Sequence, residues 1–138
     1  MKVLVAYEYR YRFYREVIAR AIVNHRPHLQ VRHVGLEQLK RELGLLDPHA
    51  VISSQPNSID TSNTVVAWVE LPVEPSSPGN ICLDGNHVKA DNLTLVEVLR
   101  VLDEAEALLE ADERQQSGRR SGRGEPLPPP RLHFRAIW

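Results

Sequence analysis

The chain has 138 residues, of which 42% are hydrophobic and 25% charged, the balance of one ordinary globular domain with a modest core. Its net charge of −1 hides an asymmetry: residues 112–138 carry six Arg against three acids, and the preceding 111 residues are net −4, which argues against a basic nucleic-acid-binding face on the body of the chain. The single cysteine, Cys82, rules out an intramolecular disulfide and a cysteine metal cluster, and it fits a reducing compartment.

The first apolar run, Val3-Leu4-Val5-Ala6, is too short for a signal peptide or a membrane span. It reads as a strand buried on both faces, and the expectation is a cytoplasmic protein with no membrane contact. The period then changes. Phe13, Val17, Ile18, Ala21 and Ile22 share one face of a helix over 13–24, which Pro27 stops. Residues 29–34 alternate apolar and polar, as a strand near a sheet edge does. Leu36, Leu39, Leu43 and Leu46 stripe a second helix that ends at Asp47-Pro48, and residues 50–52 form a third strand.

The polar run 53–63 reads as a loop, and residues 65–69 as a fourth strand. Pro72, Pro75 and Pro78 exclude a helix there. Asp84-Gly85-Asn86 between two short apolar stretches predicts a small hairpin. Thr94 with Glu97 makes a capping box for a last helix, striped by Leu95, Val98, Leu99, Leu102, Ala105, Leu108 and Leu109. Residues 112–130 are rich in Gln, Ser, Gly, Arg and Pro, a composition that cannot offset its ordering entropy.

The expectation is therefore an α/β domain over 1–111, followed by a flexible basic tail over 112–138. The domain is expected to be doubly wound, with a mainly parallel five-stranded sheet in the order 2-1-3-4-5. About three helices flank it, a Pro-rich loop replaces one crossover helix, and a small hairpin is added. The last eight residues, 131–138, mix basic and bulky apolar groups. They read as a loose end or as a short docking motif.

Ligands of such sheets bind beyond the carboxyl ends of the strands. Those ends carry Tyr7, Glu8, Tyr9, Arg10, Tyr11 and Arg12 after the first strand, Ser53 and Ser54 after the third, Glu70 after the fourth, and Lys89 near the last. The order of elements, with residues 46–56 as a third strand and residues 88–99 as a last strand and helix, resembles the receiver domain of bacterial response regulators, a flavodoxin-like fold. The resemblance implies an acid pair, a phosphoacceptor Asp, a small hydroxyl and a Lys. This chain has Tyr7-Glu8 for the acid pair and Ser54, or Ser53 with a one-residue shift, for the Asp. It has Glu70 for the hydroxyl, and only Lys89 is kept.

One carboxylate is a poor anchor for Mg²⁺, which demands octahedral oxygen ligation. No aspartyl phosphotransfer, metal or other cofactor is therefore expected. The six histidines lack metal-ligand spacing, and no Gly-rich phosphate loop or nucleophile elbow occurs. The segment from Tyr7 to Arg15, which holds all four tyrosines, reads either as a binding platform or as ring packing over the sheet end. Two functions remain open on the residues. One is a regulatory or protein-interaction module lacking catalysis, with a protein partner or a homodimer. The other is a small enzyme or binding protein holding an anionic small molecule in the crevice. Nucleic-acid contact is expected only through the Arg-rich tail.

Overall fold

The computed structural model of the protein describes residues 1–56, 65–74 and 76–121. Four short parallel strands form its centre: β1 (Lys2–Tyr7), β2 (Gln30–Gly35), β3 (Ala50–Ser53) and β4 (Ala67–Glu70). β1 and β3 lie inside the sheet and are buried at every residue. That explains why both read as unbroken apolar runs. β2 is an edge, and Arg32 and His33 on it face water.

Three helices cover the sheet. α1 (Arg12–His25) and α3 (Leu95–Ser121) share one face, where Ile18, Ile22, Val98 and Leu102 pack on Val3, Val5, Ile52 and Val69. α2 (Leu39–Leu46) covers the other, where Leu39, Leu43 and Leu46 meet Leu4, Val51 and Trp68. The helix–sheet–helix layering is thus the expected α/β class.

The expected five-stranded sheet is corrected to six, in the order β2-β1-β3-β4-β5-β6. The hairpin is no appendage. Its arms, β5 (Gly79–Leu83) and β6 (Asn86–Ala90), continue the sheet, with β5 antiparallel to β4 and β6 antiparallel to β5. The cause is the missing crossover helix. A chain that leaves β4 and returns through a short proline loop can only run back beside it. The two-residue turn places Asp84 at φ 50° and Gly85 at φ 84°, the left-handed pair that such hairpins require.

Gly79 opens β5 for a different reason. A Cβ built there would sit 2.6 Å from the carbonyl oxygen of Glu70, so the strands meet only because hydrogen stands in that place. Gly79→Ala should cost about 1–3 kcal/mol by forcing this backbone contact apart. A urea titration will show a lower midpoint than Gly44→Ala, where nothing lies within 4 Å of the added carbon and the backbone is helical.

One further expectation needs correcting. Phe13 and Val17 were expected on the buried face of α1, yet both are exposed, and Ile18, Ala19 and Ile22 are the residues inside. Tyr14 sets this phase: its ring meets Tyr7 edge-on at 5.2 Å, so the inward stripe runs through 14, 18 and 22. α3 runs past residue 111 and continues to Ser121. Glu110, Asp112, Glu113, Arg114 and Gln115 are compatible with helix, and Arg114 Nε donates to the Glu110 carbonyl at 3.4 Å. The proposed docking motif at 131–138 lies outside the described residues.

α3 is pinned to the turn after α1 by an ion pair and a hydrogen bond. The Arg26 guanidinium grips the Asp103 carboxylate with two hydrogen bonds of 2.8 Å, and His28 Nε2 lies 2.8 Å from Glu106. The Arg26 bond holds the Asp103 carboxyl below its ordinary value. A carboxyl depressed in the fold adds stability above its unfolded value, and that stability is lost as pH falls through the folded one. The loss in thermal midpoint from Asp103→Ala should therefore be clear at neutral pH and shrink steadily as the pH falls below about 4.

Candidate functional site

The residues beyond the carboxyl ends of the parallel strands separate into three groups. The first is interior. Tyr7 is completely buried, and its hydroxyl donates to the Leu71 carbonyl at 2.6 Å. Burial pushes the hydroxyls of both Tyr7 and Tyr14 above the ordinary phenol value. Ser53 is equally buried, and its Oγ accepts from the amide of Gln55 at 3.1 Å. This local bond turns the chain out of β3. Ser54 Oγ is buried and has no hydrogen-bond partner.

The second group follows the register of the sheet. Ser53 pairs with Glu70, Glu70 with Asn80, and Asn80 with Lys89. All four therefore stand in one row on the α2 side, where cross-strand neighbours share a face. The Glu70 carboxylate accepts from Asn80 Nδ2 at 2.6 Å. Two strand spacings, about 9–10 Å, separate Glu70 from Lys89 along this row. The supporting residue missed by sequence reasoning is Asn80, whose position emerges only once β5 is known to run antiparallel.

The third group is the surface. After β1 the chain makes one turn of 3-10 helix, Tyr9–Tyr11, that leads into α1. Glu8 lies 2.9 Å from Arg10 Nε in an exposed ion pair. Arg15 reaches back to donate to the Tyr7 carbonyl at 3.1 Å, while its Nε is buried and unpartnered. Tyr11 is half-buried against the core, and Arg10 lies over its ring at 4.8 Å.

Tyr9, Phe13 and Val17 stand outside at 66%, 67% and 63% exposure. The Arg12 guanidinium carbon lies 4.4 Å from the Tyr9 ring centre and 4.8 Å from that of Phe13. Each such contact contributes roughly 0.5–1 kcal/mol at an exposed position. Their effect is to hold a cation over two open aromatic rings. Phe13 and Val17 escaped the sequence reading because an i, i+4 apolar pair looks the same on an inward and an outward face. The signal available was their flanks: Arg12 and Glu16 immediately precede them.

Among the described residues beyond these strand ends, no nucleophile is paired with a base. Tyr7 and Ser53 are enclosed, Glu8 is engaged by Arg10, and Glu70 by Asn80. Among the described residues, no three His, Cys, Asp or Glu side chains converge as metal ligands, and no helix is long and apolar enough to cross a membrane. Compared with known proteins, the chain matches no family model, and neither a curated protein nor a solved structure matches it significantly.

Proposed function

We propose that this chain is a regulatory or protein-interaction module without catalysis, built on a receiver-like scaffold and working through the face formed by Tyr9, Arg10, Arg12, Phe13 and Val17. One observation carries the reading. Three large apolar side chains, Tyr9 in the 3-10 turn and Phe13 and Val17 on α1, are about two-thirds exposed, and the Arg12 guanidinium lies over the first two. Scattered exposed hydrophobics need no explanation, but an aromatic row with arginine has the make-up of an interaction hot spot. The scaffold part of the proposal is supported by the 2-1-3-4 order of the four parallel strands.

A photo-crosslinking residue at position 13 tests the reading in the cell of origin. A discrete protein adduct is expected from position 13 and none from exposed Lys40 on α2. Equal labelling at both positions, or none at either, overturns it.

A second reading has one observation in its favour. Arg15 Nε and Ser54 Oγ are both buried and unpartnered, and both lie at the level of Tyr7 on the carboxyl edge. A small oxyanion would satisfy the two donors. A thermal-shift screen with inorganic phosphate, nucleotides and sugar phosphates discriminates. Stabilisation that Ser54→Ala removes favours the anion, and silence favours the interaction module.

A further inference from the structure

The hairpin sets the chain's single cysteine beside an imidazole. Its two-residue turn makes Leu83 and Asn86 the closing pair, and Cys82 with His87 the next. A turn of this kind closes its flanking residues with backbone hydrogen bonds. The pair that follows exchanges none, and at such pairs the cross-strand side chains stand closest. Cys82 Sγ accordingly lies 3.7 Å from His87 Nε2, within hydrogen-bond reach of a sulfur. His87 is exposed and Cys82 half-buried, so a small solute reaches both.

We propose that Cys82 is a modification site, where the thiol, with His87 as its base, exchanges with low-molecular-weight disulfides. A nucleophile within reach of a base is the basic unit of such chemistry, because the thiolate and not the thiol attacks. In the step, the thiol proton passes to His87 Nε2 and the Cys82 sulfur attacks one sulfur of the disulfide. A new S–S bond forms to Cys82, the old one breaks, and the departing thiolate takes the proton from His87. Cys82 is oxidised and one half of the disulfide is reduced, so no other reagent enters. The chain holds no second cysteine to displace the adduct. The mixed disulfide therefore persists until an external thiol removes it, as a reversible mark does.

The surroundings of the sulfur follow from the register. Trp68 stands opposite Cys82 on β4, and Asn80 and Lys89 pair two residues further along the hairpin. Glu70 and Lys89 are the diagonal neighbours of Cys82, about 7–8 Å away on either side, and Asp84 lies in the turn. Glu70 is engaged by Asn80 at 2.6 Å. His87 is thus the base that stands against the thiol.

Reaction of the folded full chain with oxidised glutathione, followed by mass spectrometry, tests this. A single glutathionyl addition is expected, at Cys82, and dithiothreitol should remove it. His87→Ala opens room around the sulfur, so a merely shielding imidazole would make that variant react faster. Loss of a base does the opposite. At pH 7 the rate should fall at least about tenfold, and free imidazole in solution should restore part of it. His87→Gln keeps a hydrogen-bonding amide but no base, and it should be as slow. Both variants should keep the wild-type thermal midpoint, since the side chain they replace is exposed. A folded wild type that takes up no glutathione overturns the inference, as does a His87→Ala variant that reacts as fast as wild type or faster.

Discussion

Tyr7→Ala should lower the unfolding free energy by about 3–5 kcal/mol, and Tyr7→Phe by about 1–3 kcal/mol. The two substitutions remove different things. Alanine deletes a fully enclosed ring that meets Tyr14 edge-on at 5.2 Å. The cavity would lie between β1 and α1, where the shape of the surface row is set. Phenylalanine keeps the ring but orphans the Leu71 carbonyl, which accepts the hydroxyl at 2.6 Å. Against a total of about 5–15 kcal/mol, the alanine variant is close to unfolding at ordinary temperature.

The hydroxyl also gives the pair a pH signature. Burial raises its ionisation above the ordinary phenol value, so the protonated form is favoured in the fold. That contribution is complete below the unfolded value near 10 and declines as pH rises through it toward the folded one. Wild type should therefore lose stability above pH 10 more steeply than Tyr7→Phe. Urea midpoints at pH 7, 9 and 11 will show this, and parallel slopes would mean that the hydroxyl is not enclosed.

The second large effect is on the other face. Trp68→Ala should cost about 3–5 kcal/mol. Among the described residues Trp68 is the largest fully buried side chain, and it packs in one cluster with Leu4, Leu39, Leu43 and Val51. α2 is only eight residues long, too short to be helical without a surface to pack on. Loss of the indole should thus loosen α2 as well as the sheet. Trp68→Phe separates packing from bonding, because Nε1 donates to the Gln55 carbonyl at 2.9 Å. Phenylalanine leaves that acceptor without its donor and should fall between alanine and wild type. Guanidinium unfolding followed by far-ultraviolet circular dichroism measures both.

The elements most legible in the sequence were those with one dominant signal. β1 and β3 declared themselves by unbroken apolar runs, the hairpin by Asp84-Gly85, and α2 by its leucines. The sense of β5 was not legible, because an antiparallel and a parallel strand have the same alternation, and only the short return after β4 decides between them. The faces of α1 were misread for a related reason. Two apolar rows overlap on that helix, and the choice between them depends on Tyr14 finding Tyr7, a contact no local pattern contains. The residues of the strand ends were correctly located in the chain but not in depth. Tyr7 and Ser53 go inside, while Tyr9 and Phe13 stay out, and burial of a tyrosine depends on whether an acceptor such as the Leu71 carbonyl waits for its hydroxyl.

The length of α3 carries a consequence of its own. Twenty-seven residues span about 40 Å, whereas the longest strands, of six residues, cover about 20 Å. The helix must outrun the sheet, and among its described side chains the last that is fully buried is Ala105. Amide hydrogens within one continuous helix should then exchange with solvent at graded rates. Those from Val98 to Ala105 should exchange as slowly as the central strands. Those beyond Glu110 should be nearly as fast as in an isolated peptide.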